Sequence, residues 1–131
     1  MRAPESFGPT VLDHSRRPHH LGTLPAPDVS FERATLECRD RVRFELNVVD
    51  GVVAAVKFRA EACAVGTAAA SLLAERVLGE PLAFVEWLEP GDVLGLLEGE
   101  VPRARHACAL LALEVLRDAV CAYRGRWAGD D

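Results

Sequence analysis

Residues 41–60, RVRFELNVVDGVVAAVKFRA, decide the fold. In the first half, Val42, Phe44, Leu46 and Val48 alternate with Arg41, Arg43, Glu45 and Asn47, the period of a half-buried strand. Residues 52–60 alternate again, with Ala54, Val56 and Phe58 on one face and Lys57 and Arg59 on the other. Asp50-Gly51 between them is a hairpin signal. Two registers compete. A two-residue loop sets Phe44 beside Lys57 and splits the apolar face. A three-residue loop, Val49-Asp50-Gly51, pairs Val48 with Val52, Leu46 with Ala54 and Phe44 with Val56, and puts Gly51 in the left-handed position. Because a one-residue slip turns one strand's apolar set into water, the three-residue loop is expected. Extended outward, that pairing sets Asp40 opposite Ala60 and Cys38 opposite Ala62, with Cys63 next in line, so that Cys38, Asp40 and Cys63 meet at one end of the sheet.

The flanking sequence is read from its helix signals. GPTVLDHSRR, residues 8–17, predicts a short helix stopped before Pro18, and HHLGTLPAPD after it predicts a loop. Beyond Cys63 the pattern is helical. A helix over 64–78 closes at Gly79, and one over 82–88 starts behind Pro81. A helix over 93–98 is capped by Asp92, and the longest, 104–123, carries Leu110, Leu113, Leu116 and Val120 as an apolar stripe. The expected fold is α+β, a small antiparallel sheet (a β-hairpin core) packed on C-terminal helices.

Composition narrows the function classes. The chain has 131 residues, half of them apolar, 27% charged, with a net charge of −5, the size and balance of one folded domain. The acidic balance argues against nucleic acid as a partner. No run of about 18 uncharged apolar residues suggests a membrane span, and MRAPESFGPT does not read as a secretory signal. A cytoplasmic location with reduced thiols is the expectation. Four cysteines then read as metal, redox or packing residues before they read as disulfides.

These are Cys38, Cys63, Cys108 and Cys121, with no close CxxC pair among them. Cys63 and Cys108 fall at or just inside helix N-termini, which favour the thiolate. Cys121 follows Cys108 by thirteen positions, about 220° around a helix, and is expected to pack away from it. Three thiols and Asp40 suffice for one tetrahedral site.

These residues resemble the IscU/SufU family of iron–sulfur cluster assembly scaffolds, also seen as the N-terminal domain of NifU. VLDHSRRPHHLGTL is similar to the family's DH…NPRN.G.L segment at Asp13, His14, Pro18, Gly22 and Leu24. Cys38-Arg39-Asp40 resembles its C-G-D motif, with Arg for Gly. EACAVGTAAASLL resembles GCA.S.ASAS around Cys63, with Ala62 and Gly66 where the family has Gly and Ser. RHACALLALEVL resembles R..CA.LAW.AL at Arg105, Cys108, Ala109 and Leu111. The resemblance spans residues 11–124 and implies a single IscU/NifU N-terminal-like domain over 1–131 with a SufE/NifU-like fold.

What the resemblance implies about function is specific. Sulfur arrives from a cysteine desulfurase as a persulfide on Cys38, Cys63 or Cys108. A [2Fe–2S] cluster is built on Cys38, Asp40, Cys63 and Cys108, and acceptor apoproteins receive it. On this reading the chain is a scaffold rather than an enzyme. A second reading, as in SufU, is a zinc-bound sulfurtransferase that stimulates the desulfurase. A third is a structural zinc module. IscU carries His directly before its third Cys; here Ala107 stands there and His106 one residue earlier, which makes His106 and Arg105 ancillary candidates. The 45-residue separation of the second and third cysteines is close to IscU, and Val101-Pro102-Arg103 echoes its LPPVK segment only faintly. His14, His19 and His20 read as loop or surface histidines, Trp87 as core, and Trp127 as part of a frayed tail.

Overall fold

The computed structural model describes residues 7–36, 39–98 and 101–125. Helix α1 (Pro9–Arg16) precedes three strands, β1 (Val29–Ala34), β2 (Arg41–Val49) and β3 (Val52–Glu61). Four helices follow: α2 (Ala64–Val77), α3 (Leu82–Trp87), α4 (Pro90–Leu96) and α5 (His106–Tyr123), the last entered through a 3₁₀ turn over Arg103–Arg105. The strands form an antiparallel sheet in the order β1-β2-β3. Strands β2 and β3 and helices α2, α3 and α5 answer the sequence pattern closely. Strand β1 was not expected: VSFERA is too polar and only partly alternating to stand out, and it is exposed over most of its length. Helix α4 begins earlier than predicted, because Glu89 and Asp92 form a reciprocal capping box, with Asp92 inside the first turn.

The hairpin register differs from the expected one. Val49 pairs with Val52 and Val48 with Val53; a bulge follows, and from there Leu46 faces Val56, Phe44 faces Phe58 and Arg41 faces Glu61. The loop is the two-residue Asp50-Gly51, with φ of 53° and 74°, both in the left-handed region that a type I′ turn requires. The bulge resolves the split face that such a loop would otherwise impose. Val53, Val56 and Phe58 are buried while Ala54 is exposed, so one extra residue moves the apolar set back onto the face of Phe44 and Leu46. Its cause is a third partner. The Val53 N–H donates to the Glu80 carbonyl at 2.9 Å, and the Gly79 N–H donates to the Val53 carbonyl at 2.8 Å. The link between α2 and α3 thus takes the backbone groups that β2 does not.

One face of the sheet carries the core. Phe44, Phe58, Leu46 and Val42 are fully buried beneath α2 and α5, whose small residues Ala68, Ala69, Ala112 and Ala119 let the helices approach closely. Fully burying a side chain such as Phe58 contributes about 1.5–3 kcal/mol, which is why the bulge is favoured over a slipped register. Segment 20–22 lies along β3 through Phe58 N–H to His20 carbonyl and Gly22 N–H to Phe58 carbonyl bonds of 3.0 and 2.9 Å. Trp87 is 78% exposed, contrary to its expected place in the core. Leu82 and Val85, three apart on α3, face inward, and Trp87, two positions beyond Val85, points elsewhere. Trp127 lies outside the described residues.

The opposite face is charged. Glu45, nearly buried there, accepts hydrogen bonds from the Leu24 N–H at 2.7 Å and the Arg43 Nε at 3.0 Å. The Leu24 amide, followed by Arg43, holds its carboxyl below the ordinary 4.5 despite partial desolvation. A concavity of about 760 Å³ over this face is lined by Arg41, Arg43, Arg59 and the carboxylates facing them, and none of the described cysteines lines it.

Candidate functional site

The site is assembled by three chain segments that converge at one end of the sheet. The loop from β1 to β2 closes through a 2.9 Å bond from the Thr35 N–H to the Asp40 carbonyl and delivers Asp40 just before β2. The exit from β3 delivers Cys63 as the N-cap of α2. The 3₁₀ turn delivers Cys108 as the third residue of α5. Donor atoms of Asp40, Cys63 and Cys108 all lie within 4.8 Å of one another. Asp40 is 2% exposed, Cys108 fully buried and Cys63 half-buried, so Cys63 is the edge of the group nearest to solvent. Cys38 lies outside the described residues. Cys121 is a free, half-buried thiol apart from this group, as its helical phase predicts.

Asp40 is held by what surrounds it. Its Oδ1 accepts the Cys63 N–H at 3.1 Å and its Oδ2 accepts the Cys63 thiol at 3.5 Å. Behind it stands Gly66. A Cβ at that position would lie 2.8 Å from Asp40 Oδ2, 3.0 Å from the Ala62 Cβ and 3.6 Å from the Cys108 carbonyl oxygen. The two departures from the GCA.S pattern therefore compensate each other. With a methyl at 62, the second side chain at 66 has no room, and Gly66 is what admits the carboxylate.

Burial pushes the Cys63 thiol above its ordinary 9.0; the Gly66 and Val65 amides pull it down, and the Asp40 negative charge and hydrogen bond push it up. The sign follows directly: without metal the thiol form is the stable one across neutral pH, and thiolate appears only as pH rises through the elevated value. Alkylation of Cys63 in the metal-free chain is accordingly expected to be slow at pH 8 and still accelerating above pH 9. In Asp40→Ala, which removes two of the upward influences, the midpoint of the rate–pH curve is expected lower. Mass-spectrometric timing of iodoacetamide labelling checks both.

Arg39 sits where the C-G-D pattern has Gly, and its φ is +57°. The turn therefore keeps the left-handed conformation for which the glycine suits, and Arg bears a strain of about 1 kcal/mol. Arg39→Gly is expected to raise unfolding stability by about 1 kcal/mol in denaturant titration, with the site's geometry kept. Arg105 and His106, at the entry to α5, are both half-buried; His106 is not among the side chains whose donors converge with Cys108, as expected two positions away on a helix.

A small three-stranded sheet under two long helices, with a carboxylate and two cysteine sulfurs gathered at one end, defines an α+β domain whose donor set could hold a metal. The chain belongs to the family described as NifU-like N terminal domain, whose sequence profile matches residues 7–129. It is 34% identical over 124 residues to the bifunctional protein NifU/MnmA of Rubrobacter xylanophilus, an alignment covering 94% of this chain and 25% of the relative. The chain thus spans a quarter of that relative's length. It is 23% identical over 125 residues to the iron-sulfur cluster assembly scaffold protein IscU of Escherichia coli, covering 92% of this chain and 96% of that one. Its fold is also that of the N-terminal part of a NifU-like protein from Brucella abortus, with a TM-score of 0.76, 22% identity, and coverage of 91% of this chain and 94% of the other. No described helix is long and apolar enough to cross a membrane.

Proposed function

We propose that the chain is an iron–sulfur cluster assembly scaffold, holding a nascent [2Fe–2S] cluster as cargo on Cys38, Asp40, Cys63 and Cys108. The observation that carries this reading is the convergence of Asp40, Cys63 and Cys108 from three distant segments onto one small volume. Relatives named as scaffolds align over nearly the whole chain, which supports the same role; Cys38 enters by its place in the motif. Thiolates are the natural ligands of cluster iron, and an oxygen donor is the poorer partner. Asp40 is then the corner from which the cluster leaves. Sulfur reaches one of the three cysteines as a persulfide from a cysteine desulfurase, and acceptor apoproteins take the product. Of the two described cysteines in the set, Cys63 is the nearer to solvent and the better placed to receive it.

A second reading is supported by the spacing. Cys63 Sγ and Asp40 Oδ2 stand 3.5 Å apart, close to the edge of about 3.7 Å of a tetrahedron built on metal–ligand bonds of about 2.2–2.3 Å. The donors thus also suit one Zn²⁺, with sulfur transfer through a cysteine rather than cluster assembly. Anaerobic reconstitution with iron, cysteine and a desulfurase separates the two. A sulfur-to-iron charge-transfer spectrum with two irons per chain is expected. One tightly held zinc per chain and no cluster would overturn the scaffold reading; stimulation of the desulfurase would then mark a sulfurtransferase, and its absence a structural zinc.

A further inference from the structure

A second cluster of donor side chains stands on α1 and the turn that follows it, away from the cysteines. Donor atoms of Asp13, His14 and His19 lie within 4.8 Å of one another, and the two imidazole centroids are 4.6 Å apart with planes tilted by 45°. His14 is only 8% exposed, so it is not the surface histidine its sequence context suggests, while the His19 side chain keeps 43% of its surface exposed. His19 also stands where the DH…NPRN pattern carries Arg, which makes this pairing of rings a feature of this chain's own sequence.

Each ring is anchored through the same nitrogen. His14 Nδ1 is 2.7 Å from Ser71 Oγ, and that hydroxyl also accepts the His19 N–H at 2.8 Å. His19 Nδ1 is bonded to the Glu75 carboxylate. Ser71 and Glu75 lie one helical turn apart on α2, so one face of that helix orients both rings. With Nδ1 engaged, Nε2 is the nitrogen each ring has left to offer. An Nδ1–H donating to a carboxylate or hydroxyl while Nε2 points away is the arrangement in which histidines bind metal: the outer hydrogen bond fixes the tautomer and makes Nε2 more basic. A serine hydroxyl suits this role, because it accepts from both Nδ1–H and the His19 amide and still has its own proton to donate.

We infer that Asp13, His14 and His19 form a second metal site, which takes a borderline divalent cation such as Zn²⁺ through two Nε2 atoms and one carboxylate. Two imidazoles and an oxygen suit zinc better than the oxygen-seeking Mg²⁺ or Ca²⁺, and three protein ligands leave one position for water. Ser71 lies eight residues beyond Cys63 along the chain, about 12 Å up the axis of α2, so this site is separate from the thiol group. A bound ion would fasten α1 and the turn after it onto α2.

The test is a titration of the metal-free full chain with Zn²⁺, followed by long-range ¹H–¹⁵N correlation of the histidine rings, with a parallel Co²⁺ titration in the visible. Cobalt on thiolates gives sulfur-to-metal charge transfer and cobalt on imidazole and carboxylate does not, so the two sites are read independently and either can fail alone. The Nε2 resonances of His14 and His19 are expected to move together with one zinc equivalent, while the Nδ1 atoms keep their protons. His19→Arg is expected to abolish the movement at His14 and leave thiolate charge transfer unchanged. Glu75→Gln, at an exposed position, is expected to weaken this equivalent by about 10–100-fold, the usual effect of losing such an outer partner, with circular dichroism as the check on folding. Histidine resonances that stay fixed through the titration, that move at His19 alone, or that move undiminished in His19→Arg would overturn the site. Undiminished affinity in Glu75→Gln would overturn the anchoring on which it rests.

Discussion

In the Asp40→Ala protein, a reconstituted cluster is expected to outlive that of the wild type by about tenfold or more when both are held anaerobically with a small thiol. Asp40 is buried beside the sulfurs of Cys63 and Cys108, and its carboxylate is the hardest donor of the proposed set. Three thiolates and a carboxylate also place four negative charges in one low-dielectric pocket. Removing the carboxylate relieves part of that repulsion and opens the corner to the buffer thiol, a donor that iron holds more firmly. A tenfold change needs only about 1.4 kcal/mol in the barrier to release. The variant also leaves the Cys63 N–H without its 3.1 Å acceptor, which costs about 1–3 kcal/mol of stability, so thermal unfolding is measured beside the decay of the visible spectrum. Asp40→Asn keeps an acceptor for that N–H and removes the charge, and is expected to fall between the two. A cluster that decays faster in Asp40→Ala, in protein that melts normally, would show that the carboxylate holds the cluster rather than releases it.

The convergence behind this prediction was legible from the hairpin, even though its register was not. Alternation in 41–49 and 52–60 marks both strands, and Asp50-Gly51 marks the turn between them. What alternation cannot show is the bulge after Val53. It exists because residues 79 and 80, far along the chain, take the hydrogen-bonding groups of Val53. No local pattern within 52–60 records that contact. The convergence survives the error because both registers bring Asp40 and Cys63 to the same edge, where the bond between them is observed. Strand β1 escaped for the opposite reason: its residues are mostly exposed, so little apolar pattern is available to read.

The histidines teach a related point. His14 and His19 sit beside Arg17, Pro18 and His20 in a stretch whose composition reads as surface loop. The burial of His14 and the anchoring of both rings come from α2, through Ser71 and Glu75, 57 and 56 residues away in sequence. Local chemistry names residues that are able to bind metal; only tertiary packing tells which of them are oriented to do so. The same holds for Ala62 and Gly66. Each looks like a simple departure from a motif until their side-chain positions are seen to compete for one space.

That competition gives the last prediction. In a bare helix, Gly→Ala stabilises by about 1 kcal/mol, and Gly66 lies in the first turn of α2, so helix propensity alone predicts a more stable Gly66→Ala protein. The site predicts the reverse. A methyl there meets Asp40 Oδ2 at 2.8 Å and the Ala62 Cβ at 3.0 Å, and overpacking of this kind costs about 1–3 kcal/mol. Asp40 has little freedom to yield, because its other oxygen is tied to the Cys63 N–H. The net expectation is a loss of about 1 kcal/mol in denaturant unfolding, together with at least about tenfold weaker binding of Co²⁺ at the thiolates as Asp40 is displaced, a shift of about 1.4 kcal/mol. A double-mutant cycle isolates the cause. In an Asp40→Ala background the carboxylate no longer obstructs, and the helix preference reasserts itself: Gly66→Ala becomes neutral or stabilising there. Adding Ala62→Gly to Gly66→Ala relieves the 3.0 Å contact but leaves the 2.8 Å one, so it recovers only part of the loss. If Gly66→Ala stabilises both backgrounds equally, Gly66 is not what makes room for Asp40, and the carboxylate owes its position to the Cys63 amide alone.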